Sequence, residues 1–486
     1  MYLGIDLGTS SVKALLMDEN QLIIGSASAG LEVHRPHTGW SEQNPADWVD
    51  ATLKAVGQLA RDHAKAVKKV RGIGLSGHMH GATLLDKDDK VIRPCILWND
   101  TRSYLEAAEL DANPLFRSLS GNIVFPGFTA PKLLWVKNNE PENFDKVAKA
   151  LLPKDFLRLW LTGEMVSEPS DASGTSWLDV AKRDWSEELL RASGMERSQM
   201  PDLVEGSEVS GMLRPDLAKA WGMEMGEGRG VIVAGGGGDN AASAIGMGIV
   251  EAGSAFLSLG TSGVLFAAND SYLPNPESAV HAFCHALPNC WHQMGVILSA
   301  TDCLNWYSGI TGMAPEELTG ELGETLKNPT GTTFLPYLSG ERTPHNDAAI
   351  RGGFYGLEHA SSRADLTQSV LEGVGFAFRD CLEALRAAGT NIERVTAVGG
   401  GSNSIYWLKA IASIINLPID LPADGDNGAA FGAARLGLMA AEKADPSEIC
   451  TQAETVRTLE PDADLTSKFD EAYGRFSSLY PAIKGL

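Results

Sequence analysis

The chain has 486 residues, 44% hydrophobic and 21% charged, with 62 acidic against 40 basic side chains and a formal net charge of −22. That length suits two large domains or three small ones, and the composition supports a buried core and excludes a disordered chain. So acidic a surface repels phosphate backbones and anionic lipid, which excludes nucleic acid and membrane as partners; the one basic run, Lys65, Lys68, Lys69 and Arg71, reads as a solvated helix end.

The chain opens on strand-like residues, MYLGIDLGTS, with Asp6 among them and no basic leader, so a signal peptide is not expected. A turn of glycine and small hydroxyls follows, then a second strand VKALLMD and a third around 22–28. Asn44 and Pro45 signal a helix start, and Trp48, Val49, Leu53, Val56 and Leu59 recur at helical spacing. The run VRGIGLSGH (70–78) predicts a strand ending in glycines. Residues 100–230 are less regular and are expected to carry insertions that shape a substrate lip. An apolar strand VIVA leads into Gly235–Gly238, Asp239, Asn240 and a small-residue helix.

The second half begins again. Leu7-Gly8-Thr9-Ser10-Ser11-Val12 recurs as Leu259-Gly260-Thr261-Ser262-Gly263-Val264, between the strand-like runs SAFLS and VLFAA. A helix over about 366–388, a strand 394–402 ending in glycines, a short strand near 419–421 and a Gly/Ala-rich helix over 428–438 follow. Two domains of related fold, each opening with the same hairpin, are the simplest account; coincidence between two Gly-Thr-Ser turns is the plain alternative. The boundary is placed near 246–254, giving halves 1–248 and 249–486. Strands alternating with helices predict mixed sheets covered on both faces. The stretch 255–268 is too short and too rich in Ser, Thr and Gly to span a bilayer. Six cysteines (Cys95, Cys284, Cys290, Cys303, Cys381, Cys450) without a CxxC pair read as reduced and cytoplasmic.

Glycine, at 52 residues, exceeds the usual ~7% and is clustered, which marks backbone that turns tightly or approaches something closely. In the first turn, Gly8 admits a ligand while the N–H groups and the hydroxyls of Thr9 and Ser10 can donate to phosphate oxygens. Lys13 adds a point charge, and Asp6 offers hard oxygen donors to Mg²⁺. One such turn alone is more simply an ordinary hairpin; two facing turns could grip a polyphosphate from both sides. Asp239 either caps its helix or is a carboxylate held in a cleft to take a hydroxyl proton during phosphoryl transfer, with Asn240 on the sugar. Gly399–Gly401, with Ser402 and Asn403, leaves bare backbone against which a flat ring such as adenine could lie, or is a loop leading into a helix. His80, in SGHMHG (76–81), sits at a strand end where open α/β sheets bind ligands. His281, Cys284, His285, Cys290 and His292 are of zinc-binding types, but their spacing and apolar neighbours favour a packed strand-turn-strand.

These motifs resemble those of the FGGY family of carbohydrate kinases, within the actin-like ATPase group, nearly end to end: GIDLGTSSVK (4–13), MHGATLLD (79–86), ILWNDTR (96–102), PGFTAPKLLWV (126–136), LLPKDFLRL (151–159), GGGDNAA (236–242), SLGTSGV (258–264), FCHALP (283–288) and FLPYLSGERTPH (334–345). The resemblance implies two ribonuclease-H-like domains around a deep cleft and transfer of the γ-phosphoryl of ATP to a sugar hydroxyl with Mg²⁺. It implies Asp239 as catalytic base, Asp6 as the carboxylate near the metal, Thr9, Ser10 and Lys13 as the first phosphate segment, and Gly260 and Thr261 as the second. Gly400 and Gly401 fall in the adenosine segment. The narrower likeness is to the bacterial xylulokinase branch, which implies Met79 and His80 as the sugar-contacting pair, D-xylulose as acceptor and a homodimer. Two departures stand out: His78 where relatives usually have Gln, and a glycine run 235–238 one residue longer. Another ketose or polyol as acceptor, or a nucleotide switch without sugar chemistry, are the alternatives.

Overall fold

The computed structural model describes residues 1–224, 230–423 and 428–485. The first sheet is built from β1 (Tyr2–Leu7), β2 (Ser11–Met17) and β3 (Ile23–Gly30), followed by helix α1 (Pro45–Asp62) and β4 (Gly72–Gly77). Helix α2 (Pro153–Thr162), β5 (Val209–Met212), β6 (Ile232–Ala234), the two-residue β7 (Gly237–Gly238) and helix α3 (Asp239–Met247) complete this half. The sheet order is β5-β6-β4-β1-β2-β3, with β7 also paired to β4. β6, β4 and β1 run parallel, while β1-β2-β3 is an antiparallel meander.

The second sheet repeats this plan. It contains β8 (Ala255–Leu259), β9 (Gly263–Asn269), β10 (His281–Cys284) and β11 (Trp291–Ile297), then α4 (Thr301–Thr311) and the long α5 (Arg363–Ala387). β12 (Val395–Val398), α6 (Ile405–Ile415), β13 (Ile419–Pro422), α7 (Ala429–Glu442) and β14 (Thr455–Leu459) follow. Its order is β10-β11-β9-β8-β12-β13-β14, with β8, β12 and β13 parallel and β8-β9-β11 antiparallel. Strand for strand, β8, β9, β11, β12 and β13 take the places of β1, β2, β3, β4 and β6. The repeated hexapeptides form the matching hairpins, with one difference. Leu7 pairs Val12 across a four-residue turn, whereas Leu259 pairs Gly263 across three, so the second hairpin is one residue tighter in register.

The local signals act as their chemistry requires. The Asn44 side chain accepts from the Ala46 amide and Pro45 opens α1, which buries Trp48, Val56 and Leu59 on the first sheet and leaves Leu53 exposed. Ser362 caps α5 reciprocally with Asp365. Residues 100–200 form short helices and strands of two or three residues around a separate apolar cluster that includes Phe116, Trp177 and Trp185.

Helices α3 and α7 cross between the sheets. α7, late in the chain, packs on the first sheet: a Cβ on Gly74 would lie 1.8 Å from the Ala433 carbonyl oxygen, so only glycine lets helix and strand meet here. α3 shares an apolar cluster with Phe256 and Phe266 of the second sheet and with Leu436 of α7. Each half thus contributes one helix, α3 or α7, to the space between the halves, and residues of both share one hydrophobic cluster. His281–Cys284 and Trp291–Ile297 form the strand-turn-strand expected of the His/Cys segment, with the His292 ring stacked on Phe266 and the His281 ring tilted beside Phe283.

Candidate active site

The first group of candidate residues lies at the C-terminal ends of β1, β4 and β7. Parallel pairing puts Asp6 beside Ser76 and Ser76 beside Gly237, so Asp239 emerges one residue beyond Gly238 in the same layer. Lys13 is the cross-strand partner of Asp6 and shares its face of the sheet. Asp239 is the first residue of α3 rather than its cap, which is Gly238. Its Oδ1 accepts from the backbone and side-chain amides of Asn240 at 2.7 and 3.1 Å. Oδ2 carries no hydrogen bond among the described residues. One N–H of the Asn240 side-chain amide is thus spent on Asp239. Burial, and then the nearby charge of Asp6, raise the Asp239 carboxyl from 3.8 to about 6.

The loop carrying Asp239 is bolted from below. Arg158 of α2 donates to the carbonyls of Ala234 and Gly235, and the Gly238 amide donates to Ser170 Oγ at 3.0 Å. Ser170 in turn donates to Glu168 at 2.9 Å. Lys154 sits among Asp155, Asp171 and Glu168 at 2.7, 3.5 and 3.7 Å, all of them fully buried. Gly236, at φ +80°, makes the bend that a side chain would resist. This buried ionic mount lay outside the sequence-based candidates; the only signal was LLPKDFLRL, whose charges inside an apolar run imply buried partners.

His80 adopts φ +69°, and its carbonyl is fixed by Thr129 Oγ1 at 3.1 Å and Lys132 Nζ at 2.8 Å. Its ring stacks on Phe128 at 4.6 Å, and Nδ1 lies 2.7 Å from the Gly174 carbonyl. A carbonyl only accepts, so Nδ1 carries the proton. Burial lowers the ring's pKa to about 3, so it is neutral near pH 7 and Nε2 is left as an acceptor. Met79 is buried beside Gly174 and Gly238. His78, by contrast, is buried edge-on against Trp48 of α1 at 5.7 Å, so its departure from Gln bears on the core behind the pocket.

Both repeated turns have their carbonyls tied back and their amides left forward. The Thr9 carbonyl accepts from Gln43 Nε2 at 2.7 Å and the Ser10 carbonyl from the Leu31 amide at 2.8 Å. The Gly260 carbonyl accepts from the Thr301 amide and hydroxyl at 2.9 and 2.8 Å, and the Thr261 carbonyl from the Ala300 amide at 2.8 Å. No acceptor meets the N–H groups of Thr9, Ser10 or Thr261 among the described residues. Such forward amides form an anion-binding concavity. Trp98 Nε1 donates to Thr9 Oγ1 at 3.0 Å from a half-exposed position that sequence reasoning did not single out.

The second turn lies beside the third glycine run. β8 and β12 are parallel neighbours, and a Cβ on Gly401 would meet Leu259 and Thr301. Gly400, Gly401 and Asn403 line a cavity of about 560 Å³ together with Thr301, Asn305 and Tyr406. Open space lies where a Gly400 side chain would be, so bare backbone faces the cavity.

Residues 1–246 match the N-terminal domain of the FGGY family of carbohydrate kinases and residues 255–441 its C-terminal domain. The chain is 47% identical over 486 residues to the xylulose kinase of Escherichia coli (strain K12), covering 99% of each, and 46% identical to that of Klebsiella pneumoniae, covering all of each. Among solved structures it is similar to a xyloylose kinase from Brucella ovis, with a TM-score of 0.97, 64% identity and 99% of each chain covered. It is also similar to the xylulose kinase from Rhodospirillum rubrum, with a TM-score of 0.92, 27% identity and 99% and 98% of the two chains covered. The chain belongs to the FGGY family of carbohydrate kinases, and is an ATP-dependent sugar kinase.

Proposed function

We propose that the chain phosphorylates D-xylulose on its 5-hydroxyl at the expense of ATP. The observation that carries this reading is Asp239: a carboxylate with one oxygen outside the Asn240 hydrogen bonds, a pKa near 6, and a rigid mount, one residue beyond Gly238, against which Met79 packs. The choice of D-xylulose follows the names of full-length relatives.

In this reading His80 Nε2 accepts a hydroxyl proton of the sugar and orients it, while Asp239 Oδ2 accepts the proton of the attacking hydroxyl. The forward amides of Thr9, Ser10 and Thr261, with Lys13, hold the phosphate oxygens, and the cavity at Gly400, Gly401 and Asn403 holds the adenosine. Charge in phosphoryl transfer spreads over the transferred oxygens, so fixed N–H groups and a lysine supply most of what the protein must add. Asp6 fits Mg²⁺. Its carboxylate lies close enough to Asp239 to raise that group's pKa, a repulsion that a divalent cation relieves, and magnesium favours one or two carboxylates plus phosphate oxygens over an all-protein cage. The ion would neutralise phosphate charge. The halves 1–248 and 249–486 serve as the two lobes that close on substrates, with α7 returning onto the first lobe and the α3–α7 pair at the hinge. The cytoplasm is the compartment that suits six unpaired, buried thiols, and among the described residues no helix is long and apolar enough to cross a membrane. A homodimer is carried over from relatives, and light scattering would measure it.

The test is ADP release across a panel of ketoses and polyols, with Asp239→Asn as control. D-xylulose is expected to stimulate release most strongly, and the variant to lose about 10³-fold or more in turnover while still binding ATP. A different preferred sugar, or turnover retained by the variant, would remove this reading.

A further inference from the structure

On the second lobe, Arg342 belongs to none of the groups assigned above. Its backbone is strapped to β11: the Thr343 amide donates to the Val296 carbonyl at 3.1 Å, the Val296 amide donates to Thr343 Oγ1 at 3.0 Å, and that hydroxyl donates to the Ala279 carbonyl at 3.0 Å. The side chain leaves this strap toward the first lobe and lies over the Phe125 ring at 4.8 Å, with Nη1 3.4 Å from His281 Nε2. The rings then continue to the sugar-contacting residue: His281 is 5.8 Å from Phe128, which stacks on His80. Arg342 makes no ion pair among the described residues. Neighbouring Glu341 has Oε1 engaged by the amides of Leu298 and Arg342 at 3.0 and 2.8 Å, and burial raises its carboxyl to about 8, which leaves it mostly neutral near pH 7. A half-buried guanidinium with no carboxylate in ion-pair contact leaves donors unspent, and such groups are kept where a ligand completes their hydrogen bonds.

We infer that Arg342 is a substrate-positioning residue contributed by the nucleotide lobe, whose guanidinium donates to acceptor-sugar oxygens at the end remote from the hydroxyl facing Asp239. This rests on the proposed sugar-kinase reading. It makes the pocket complete only when both lobes meet on the sugar, which ties acceptor occupancy to closure. A planar fork of donors suits the adjacent oxygens of a ketose better than a single ammonium does.

The experiment is steady-state kinetics of R342M and R342K against D-xylulose and against ATP, alongside each variant's melting temperature. R342M is expected to raise the KM for D-xylulose about tenfold or more, the scale of a hydrogen bond to a charged group, with the KM for ATP unchanged within about twofold. R342K keeps the charge and stem and is the variant to read if R342M does not fold; its KM for D-xylulose is expected to rise about fivefold. A folded R342M with a wild-type KM for D-xylulose, an ATP KM that rises in step, or an R342K indistinguishable from wild type overturns the assignment. If the unmodified enzyme shows no turnover with D-xylulose, the functional reading and this inference fall together; normal turnover with an unshifted variant overturns the inference alone.

Discussion

Asp239→Asn should make the protein more stable while it abolishes activity. The Asp239 carboxyl titrates at 3.8 in a free chain and near 6 in the fold, so between those values the folded state holds a proton that the unfolded state has lost. Stability therefore falls as pH rises from about 4 to about 6, and the penalty is complete above 6. A displacement from 3.8 to about 6 corresponds to at most about 3 kcal/mol, and partial solvent contact of the carboxylate reduces this to about 1–2 kcal/mol. Asparagine removes the charge and keeps an oxygen for the Asn240 amides. In chelator at pH 7.5 the variant should melt a few degrees above wild type, on the scale of about 2–4 °C per kcal/mol for large domains, and the gap should close below about pH 4. Scanning calorimetry at both pH values measures it. A variant less stable than wild type at pH 7.5, or a gap that persists at pH 4, would refute burial and Asp6 as the source of the raised pKa.

The same group sets the acid limb of activity: kcat/KM for the sugar should drop about tenfold per pH unit below about 6, because only the carboxylate accepts a proton, and a limb in the ordinary aspartate range would count against this. Gly74→Val should cost about 3 kcal/mol or prevent folding, since its Cβ would lie 1.8 Å from the Ala433 carbonyl, whereas Gly400→Ala, which meets nothing within 4 Å, should change stability by under about 0.5 kcal/mol and weaken only ATP binding; urea titration and calorimetry separate the two.

The fold was legible where pattern and local chemistry agree. The Asn44-Pro45 start of α1, the paired Gly-Thr-Ser hairpins and the strand ending at Gly77 are all short-range signals, and they appear where expected. The one-residue difference in register was not legible, because it depends on pairing geometry that five matching letters of six do not encode. The crossing of α7 onto the first sheet was visible only as unexplained glycine in YLGID and GIG; the carbonyls of Ala430 and Ala433 that require it are more than 350 residues away. At the site, residue types announced Asp6, Asp239 and His80, and the relatives' pattern sharpened them. What was missed acts through space. Arg158 grips a loop some 80 residues later in the chain, Lys154 is held among Asp155, Glu168 and Asp171, Lys132 holds a backbone carbonyl, and Arg342 reaches across from the other lobe.

The duplicated lobes are chemically unequal, and the inequality assigns their roles. Both turns present amides with their carbonyls tied back, so both can take phosphate oxygens. Asp6, however, stands where the second lobe has Ser258, and Lys13, which faces Asp6, has only Val264 facing Ser258 as its counterpart. The charged pair that would manage a cation and a reacting phosphoryl group exists on one lobe alone, the one that also carries Asp239. The other offers a neutral cradle beside an adenosine-sized cavity. Ser258→Asp tests this division. Ser258 is half-buried on β8 next to Val398, one residue before Gly260's neighbour Leu259, so a carboxylate there would face the phosphates without a lysine opposite it. The KM for ATP should rise about tenfold or more and lessen with added salt, while the KM for D-xylulose stays within about twofold. A variant whose ATP affinity is untouched would mean that the second turn does not meet the nucleotide's phosphates, and the two-sided grip would be wrong.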